Sequence, residues 1–406
     1  MKKTKTILTL ALAILIIAAS LPAAFAALDQ NGALVAADEN HPAGAAITKI
    51  LQLPEGTKVP KADFKFTVKS MSVDGKDATT ANMPVIGAVT IPFAGNETGA
   101  PAGNIVTLPK ESADIFAGVT FPHAGIYVYE ITEQINTYPA DPAHEVMTYS
   151  EARYTLTVYV HNKTAPATGT YIYAIGARVN AKDDGTPGTG KVDTTPGGGD
   201  DYDYSQMIFK NTYVKTNGGD PEKPGTDIDK ATLAISKTVT GTYGDRTAYF
   251  DFTLKVTAPA LVPHTPTAPV YKAYVVENGA VVGTYIEFAS GTANTFRLRH
   301  DQKLIFLNTP VGTVYDVKET ADTAYETSYI VTTNGIAGAK TSGLVTGNQL
   351  IGEAANKTDY INTRDDVTPT GLNLNDLPFM GMILLAIGGF IAFVVLKTRK
   401  GRRCTK

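Results

Sequence analysis

The 406 residues predict an all-β protein made of two tandem β-sandwich domains. Apolar residues recur at every second position in short runs. Phe64, Phe66 and Val68 alternate with Lys65, Thr67 and Lys69; Leu156, Val158 and Val160 with Thr155, Thr157 and Tyr159; Phe250, Phe252 and Leu254 with Asp251, Thr253 and Lys255. Gly, Pro and Asn turn residues separate these runs, and no long apolar stripe of period 3.6 appears. A polar triplet also recurs in the same order in both halves: Lys49, Glu133 and Asn211, then Lys237, Glu319 and Asn362.

Residues 1–26 read as an export signal. Lys2, Lys3 and Lys5 precede an apolar run from about Ile7 to Ala19, and Ala24-Phe25-Ala26 supplies a small-x-small cleavage site. The first sandwich is expected over 27–215. Its polar stretch 179–203, rich in Gly, Asp, Thr and Pro, reads as an exposed loop insertion before the last strand. Residues 216–229 (TNGGDPEKPGTDID) read as a linker, and 230–366 as the second sandwich. Lys to Glu spans 84 residues in the first copy and 82 in the second, whereas Glu to Asn spans 78 and 43. The extra length falls where the polar insertion lies, so the halves read as divergent copies of one fold.

Residues 367–406 form a distinct end. The uncharged run Phe379–Leu396 is long enough to cross a bilayer as a helix. Lys397, Arg399, Lys400, Arg402, Arg403 and Lys406 follow it and place the tail on the cytoplasmic side. Upstream lies Val367-Thr368-Pro369-Thr370-Gly371. A Pro-Thr-Gly element, a span and a basic tail together resemble a Gram-positive sortase signal, although Pro369 stands one position closer to Thr370 than in the LPxTG pattern. The resemblance implies cleavage between Thr370 and Gly371. The alternative is a type I membrane protein with an unrelated turn.

Three basic residues precede residue 27 and six follow residue 370, so 27–370 keeps 27 of the 36 basic and 38 of the 39 acidic residues, a net charge near −11. That balance argues against nucleic acid as a partner. The only cysteine, Cys404, lies in the basic tail, so the exported portion has no disulfide. An exported β-protein without that staple invites a different crosslink.

Strand parity places the triplets. Leu233, Ile235, Lys237 and Val239 share one face, as do Ala45, Ile47 and Lys49. Tyr127, Tyr129, Ile131 and Glu133 share a face with Glu130 and Thr132 opposite; Thr313, Tyr315, Val317 and Glu319 do so with Asp316 and Lys318 opposite. Met207, Phe209 and Asn211 fall together, and Tyr360 with Asn362. Each polar residue is therefore expected on an apolar face. A desolvated Lys loses its proton more easily and a desolvated Glu keeps its own. The neutral amine can then attack the Asn carboxamide while Glu polarises it, releasing ammonia and leaving an amide. Lys49, Asn211, Lys237 and Asn362 are the expected crosslinking residues, with Glu133 and Glu319 as the catalytic groups. The step runs once per domain, needs no cofactor or metal, and is not turnover. A loop of about 160 residues closed this way gains on the order of 4–5 kcal/mol if treated like a long disulfide loop.

The chain resembles the two-domain backbone pilins of streptococci and related Gram-positive bacteria. The likeness rests on ITK at Lys49, FPHAGIYVYEITE ending at Glu133, VYVHNK at Lys163 and IFKN ending at Asn211. In the second half it rests on LAISKTVTGTYGDR at Lys237, TPVGTVYDVKE at Glu319 and YINTRD at Asn362. It implies Cna B-like, immunoglobulin-type sandwiches, each holding one Lys–Asn isopeptide bond assisted by Glu. It also implies a covalent polymer of copies of the chain, in which a pilin sortase joins the Thr370 carbonyl to a Lys of the next subunit, with minor pilins and cell-wall peptidoglycan as further partners. In similar pilins the acceptor Lys precedes the last strand of the first domain. The matching place here is near Tyr204, so Lys191 in the adjacent loop, Lys163 and Lys182 are the candidates.

The leading functional expectation is a shaft subunit on the surface of a Gram-positive bacterium, supporting adhesion. A wall-anchored adhesin or a minor tip or base pilin is the alternative, but two sandwiches leave little room for a recognition domain. An exported enzyme is the third class. The six His do not fall at HExxH-like spacing, and neither a GxSxG elbow nor a nucleophilic Cys is present.

Overall fold

In the computed structural model the described residues are 26–28, 34–79, 82–198, 203–262, 268–365 and 377–401. The expected cleavage site (apart from Ala26) and the sorting motif with Thr370 and Gly371 lie outside them.

The first sandwich faces two sheets across one core. One sheet runs in the order Glu145–Thr148, Ile208–Lys215, Thr48–Pro54, Ile105–Glu111, Pro101–Ala102. The other runs Lys191–Val192, Thr170–Ala181, Arg153–Asn162, Gly125–Glu133, Ala62–Val73, Lys76–Asp77, with Val89–Phe93 also paired to Ala62–Val73. Alternation sets which side chains meet: in Ala62–Val73 the buried Phe64, Phe66 and Val68 alternate with exposed Lys65, Thr67 and Lys69. Those aromatics join Tyr127, Tyr129, Ile131, Leu156, Val158 and Phe209 in a single buried cluster.

The second sandwich repeats the plan. Its larger sheet runs Ala280–Ala289, Val270–Glu277, Gln302–Phe306, Leu233–Thr240, Lys357–Thr363, Glu326–Thr333, Ile336–Ala337, with Thr341–Ser342 also on Glu326–Thr333. Its smaller sheet runs Ala293–Leu298, Phe250–Thr257, Val314–Glu319, Gln349–Leu350. In each sandwich the strand bearing the Lys lies parallel to the last strand, and the strand bearing the Glu lies in the facing sheet.

Two expectations need correction. The stretch 179–203 is not simply an exposed loop. Residues up to Ala181 finish a strand, Lys191–Val192 pairs back onto it, and Thr194 and Thr195 are buried. Asp193 accepts the Thr195 N–H and hydroxyl at 2.9 and 2.7 Å, which satisfies polar groups that burial would otherwise strand. Residues 216–229 are not a free linker either; they fold back onto the second sandwich. Tyr274 Oη donates to the Pro221 carbonyl at 2.5 Å, Lys272 pairs with Glu222 at 2.8 Å, and Ile228 joins Tyr274, Val276, Ile305 and Leu307 in a satellite apolar cluster. Gly218 is required there, because a Cβ would collide with the Leu307 carbonyl. Composition signals a polar segment, but Ile228, the Tyr274 hydroxyl and the Lys272–Glu222 pair tie it to the second sandwich.

The sandwiches meet around Glu353. Its carboxylate accepts the Lys58 N–H at 2.7 Å and the Lys215 ammonium at 3.1 Å, and the Val311 N–H donates to the Lys215 carbonyl at 2.8 Å. Beyond the second sandwich a helix, Leu377–Gly401, contains the segment Phe379–Thr398. Its mean hydropathy of 2.7 and its length are sufficient to cross a membrane.

Candidate functional site

Each sandwich holds its triplet in the dry space between its sheets. Thr48–Pro54 and Ile208–Lys215 are parallel neighbours with Phe209 opposite Lys49, so Asn211 lies two residues further and on the same face. In the second sandwich Tyr360 stands opposite Lys237 and Asn362 again lies two residues further. The glutamates come from the facing sheets, where Glu133 pairs opposite Phe66 and Glu319 opposite Phe252. The two registers are the same.

The contacts repeat as closely. Lys49 Nζ is 2.7 Å from both carboxylate oxygens of Glu133, and Asn211 Nδ2 donates to Glu133 Oε1 at 2.7 Å. Lys237 Nζ is 2.7 and 2.8 Å from the Glu319 oxygens, and Asn362 Nδ2 donates to Glu319 Oε1 at 2.6 Å. The side chains of both Lys–Glu pairs are fully buried. Aromatic rings complete the enclosure. Lys49 Nζ lies 4.6 Å from the Phe64 ring centroid and 6.0 Å from that of Phe66; Lys237 Nζ lies 4.2 and 5.7 Å from Phe250 and Phe252. These rings exclude water while their faces tolerate a nearby cation. The sequence does not mark them as site residues on its own, although a Phe-x-Phe run follows each Lys, 15 residues on in the first copy and 13 in the second.

Burial dominates the electrostatics. It pushes both Lys49 and Lys237 down to about 8, against the pull of the partner carboxylate that favours the ammonium. It also pushes Glu133 and Glu319 up, against the Lys charge and the Asn hydrogen bond. The opposed shifts narrow the free-energy gap between an ammonium–carboxylate pair and a neutral amine–carboxylic acid pair. Passing one proton from Nζ to the carboxylate converts the first into the second.

The two sites differ in how the carboxamide oxygen is held. Asn211 Oδ1 accepts the backbone N–H of Ser150 at 2.7 Å, and that N–H also faces the Glu133 carboxylate. Asn362 Oδ1, equally buried, accepts no hydrogen bond among the described residues. Ser150 was invisible in the sequence, because it lies 61 residues before Asn211 and acts through its backbone.

The acceptor candidates stand apart from the triads. Lys191 opens the exposed edge strand beside Ala177 and Arg178. Lys163 follows Arg153–Asn162 and its N–H closes a turn to the Gly169 carbonyl at 3.0 Å. Lys182 is exposed, with its N–H bonded to the Thr186 carbonyl at 2.9 Å. Among the described residues no group of three or more His, Cys, Asp and Glu is placed to hold a metal ion.

Comparison with known proteins bears on the same segments. Residues 45–214 match the family model of the Spy0128-like isopeptide containing domain, and residues 231–363 match a domain of unknown function (DUF7601). A pilin of Streptococcus pyogenes serotype M1 is 23% identical over 364 residues, covering 86% of this chain and 90% of that protein. Among solved structures, the major pilin of Streptococcus pyogenes is 21% identical, covers 80% of this chain and 99% of its own, and has a TM-score of 0.33. The major pilin T3.2 of the same species is 20% identical over 79% of this chain and 98% of its own, with a TM-score of 0.32. On the sequence matches, the chain is a pilin-like protein whose first sandwich carries the Spy0128-like isopeptide domain.

Proposed function

We propose that the chain is the structural shaft subunit of a sortase-assembled surface pilus, and that each sandwich joins its own first and last strands by a Lys–Asn amide. The observation that carries this reading is the duplicated triad, with the same register, partners and aromatic enclosure in two domains. A single buried Lys–Glu pair would be an ordinary structural ion pair, and such pairs contribute little net stability. Two pairs that each present a carboxamide to the same carboxylate fit a reaction better than a stabilising device.

In the reaction the neutral Lys Nζ attacks the Asn Cγ. Glu takes a proton from Nζ and delivers one to Nδ2, the Cγ–Nδ2 bond breaks and ammonia leaves. The product amide is neutral, so burying it no longer carries the desolvation cost of an ion pair. Polymerisation is a separate step performed by a sortase, in which the Thr370 carbonyl is transferred to an amine. Lys191 and Lys163 are the proposed acceptors, followed by Lys182. Peptidoglycan takes the terminal subunit, and the Phe379–Thr398 helix holds the precursor in the membrane until then. Wall extracts of the producing cells test this reading: a shaft subunit gives a heat- and detergent-resistant ladder of multimers, whereas a singly anchored adhesin or minor pilin gives one band.

The pKa directions set the pH dependence of the crosslink. The reactive pair contains one proton shared between Lys and Glu. Raising the pH through about 8 removes that proton and the acid function with it. Lowering it below the raised Glu value adds a second proton and leaves the ammonium unable to attack. Ammonia release by freshly folded chain is therefore expected to be bell-shaped in pH, with its alkaline limb near 8 and its acid limb above the usual carboxylate range. A rate that climbs steadily to pH 10 would mean that Glu takes no part as an acid.

A further inference from the structure

The polar insertion of the first sandwich reaches its reaction centre. Asp183 Oδ1 accepts the Ser150 hydroxyl at 2.5 Å and the Lys210 N–H at 2.8 Å, while Ser150 Oγ accepts the Ala152 N–H at 3.1 Å. Ser150 is buried and held from two sides. Its own N–H points at Asn211 Oδ1. An N–H must meet an oxygen, so this contact fixes the carboxamide with Oδ1 toward Ser150 and Nδ2 toward Glu133. When Nζ adds to Cγ, the carbonyl electron pair moves onto Oδ1. A fixed donor placed there stabilises that charge without reorganising.

The second sandwich has the same Lys, Glu, Asn and Phe residues but no such donor among the described residues, and its Glu-to-Asn segment lacks an insertion of comparable length. Among the described residues the Asn362 carboxamide is held by the Glu319 hydrogen bond on its nitrogen, with no donor on its oxygen. We propose that the Ser150 N–H, positioned by Asp183, is the oxyanion donor of the first crosslink, and that Lys49–Asn211 consequently forms faster than Lys237–Asn362. The proposal rests on the crosslinking reading above. The new bond is Nζ–Cγ, the broken one Cγ–Nδ2, and the leaving group is ammonia in both domains; only the stabilisation of Oδ1 differs.

Unreacted chain spanning 27–370, recovered in denaturant where no dry core exists, allows both domains to start together on dilution. Samples quenched over time and digested report crosslinked and free peptides at each site by mass, while circular dichroism reports folding. Removal of one oxyanion donor typically slows catalysis about 10²–10³-fold. The first site is accordingly expected to close at least ~10-fold faster than the second once both domains are folded. Asp183→Ala and Ser150→Ala are expected to slow the first site by roughly tenfold with the second unchanged, whereas Ser150→Thr, which keeps the hydroxyl and the N–H, retains the fast rate. Equal rates in the unmutated chain, or a faster second site, overturn the proposal. So does an Asp183→Ala chain that folds and still closes its first site at full speed. Should that variant fail to fold, the two sites of the unmutated chain decide the matter alone. Retention of ammonia at both sites contradicts the crosslinking reading itself.

Discussion

Glu133→Ala is expected to leave Lys49 and Asn211 unjoined and to lower the stability of the first sandwich more than any other single substitution in it. Two losses combine. The missing amide removes a constraint on a loop of 162 residues, about 5 kcal/mol in the chain-entropy model. The missing carboxylate leaves Lys49 buried without its partner, and breaking a buried pair on one side typically costs about 3–5 kcal/mol. Together these approach the entire stability of an ordinary domain, about 5–15 kcal/mol. Asn211→Ala separates the terms, because it removes the reaction but keeps the Lys49–Glu133 pair. The expected order of melting temperature is unmutated chain, then Asn211→Ala, then Glu133→Ala. Each of these steps should be on the order of 10 °C or more for a domain of this size. Glu319→Ala and Asn362→Ala should repeat the order in the second sandwich.

The pH dependence of the Glu133→Ala variant provides a check with a definite sign. Lys49 is already held near 8 with its carboxylate present, and losing that carboxylate lowers it further. The unfolded chain, with Lys near 10.5, therefore binds more protons than the folded one between those values. Stability of this variant rises as the pH climbs through the folded value toward 10.5, and is lowest below that window. Calorimetry from pH 6 to 10 would reveal it. A flat profile would mean that Lys49 has escaped to solvent.

Pulling on the two ends of the chain should produce a second large effect. With the proposed amide in place, force entering before Lys49 would reach Nζ, cross to Asn211 and leave along the Asn211 strand, so the 161 intervening residues would carry no load. The 124 residues between Lys237 and Asn362 would be bypassed in the same way. Only the 26-residue step from Asn211 to Lys237 lies between the two closed loops. There the Tyr274–Pro221 hydrogen bond and the exposed Lys272–Glu222 pair yield readily. The unmutated chain is expected to lengthen by no more than roughly 90 Å in this region, at about 3.3–3.6 Å per residue. Asn211→Ala should add a further step of roughly 550 Å and Asn362→Ala one of roughly 430 Å. Equal unfolding steps in mutant and unmutated chains would show that load passes through the sheets. Resistance of this kind suits a thin fibre exposed to flow and proteases, where the rate of unfolding matters more than its equilibrium.

Much of the site could be read from strand parity. Burial alternates in phase with the sequence pattern along Leu233–Thr240, Gly125–Glu133 and Val314–Glu319, because the two-residue period of a strand leaves no freedom once its apolar residues choose a side. Parity says nothing about register. That Asn211 and Asn362 each stand two residues past the partner of the Lys depends on which strands become neighbours, and that choice is made by the whole core. Ser150 was out of reach for a related reason: a backbone N–H has no residue-type signature. The insertion misled because Gly, Asp and Thr look solvent-seeking, whereas Asp183 and Asp193 there satisfy buried hydroxyl and N–H groups. The folded-back segment 216–229 misled similarly, its one apolar anchor being Ile228.

The intact mass of the folded chain spanning 27–370 tests the central claim most directly. Two closed triads lower it by two molecules of ammonia relative to the sequence, with one restored in Glu133→Ala, one in Glu319→Ala and both in the double variant. A folded, unmutated chain that keeps its full sequence mass would contradict the account.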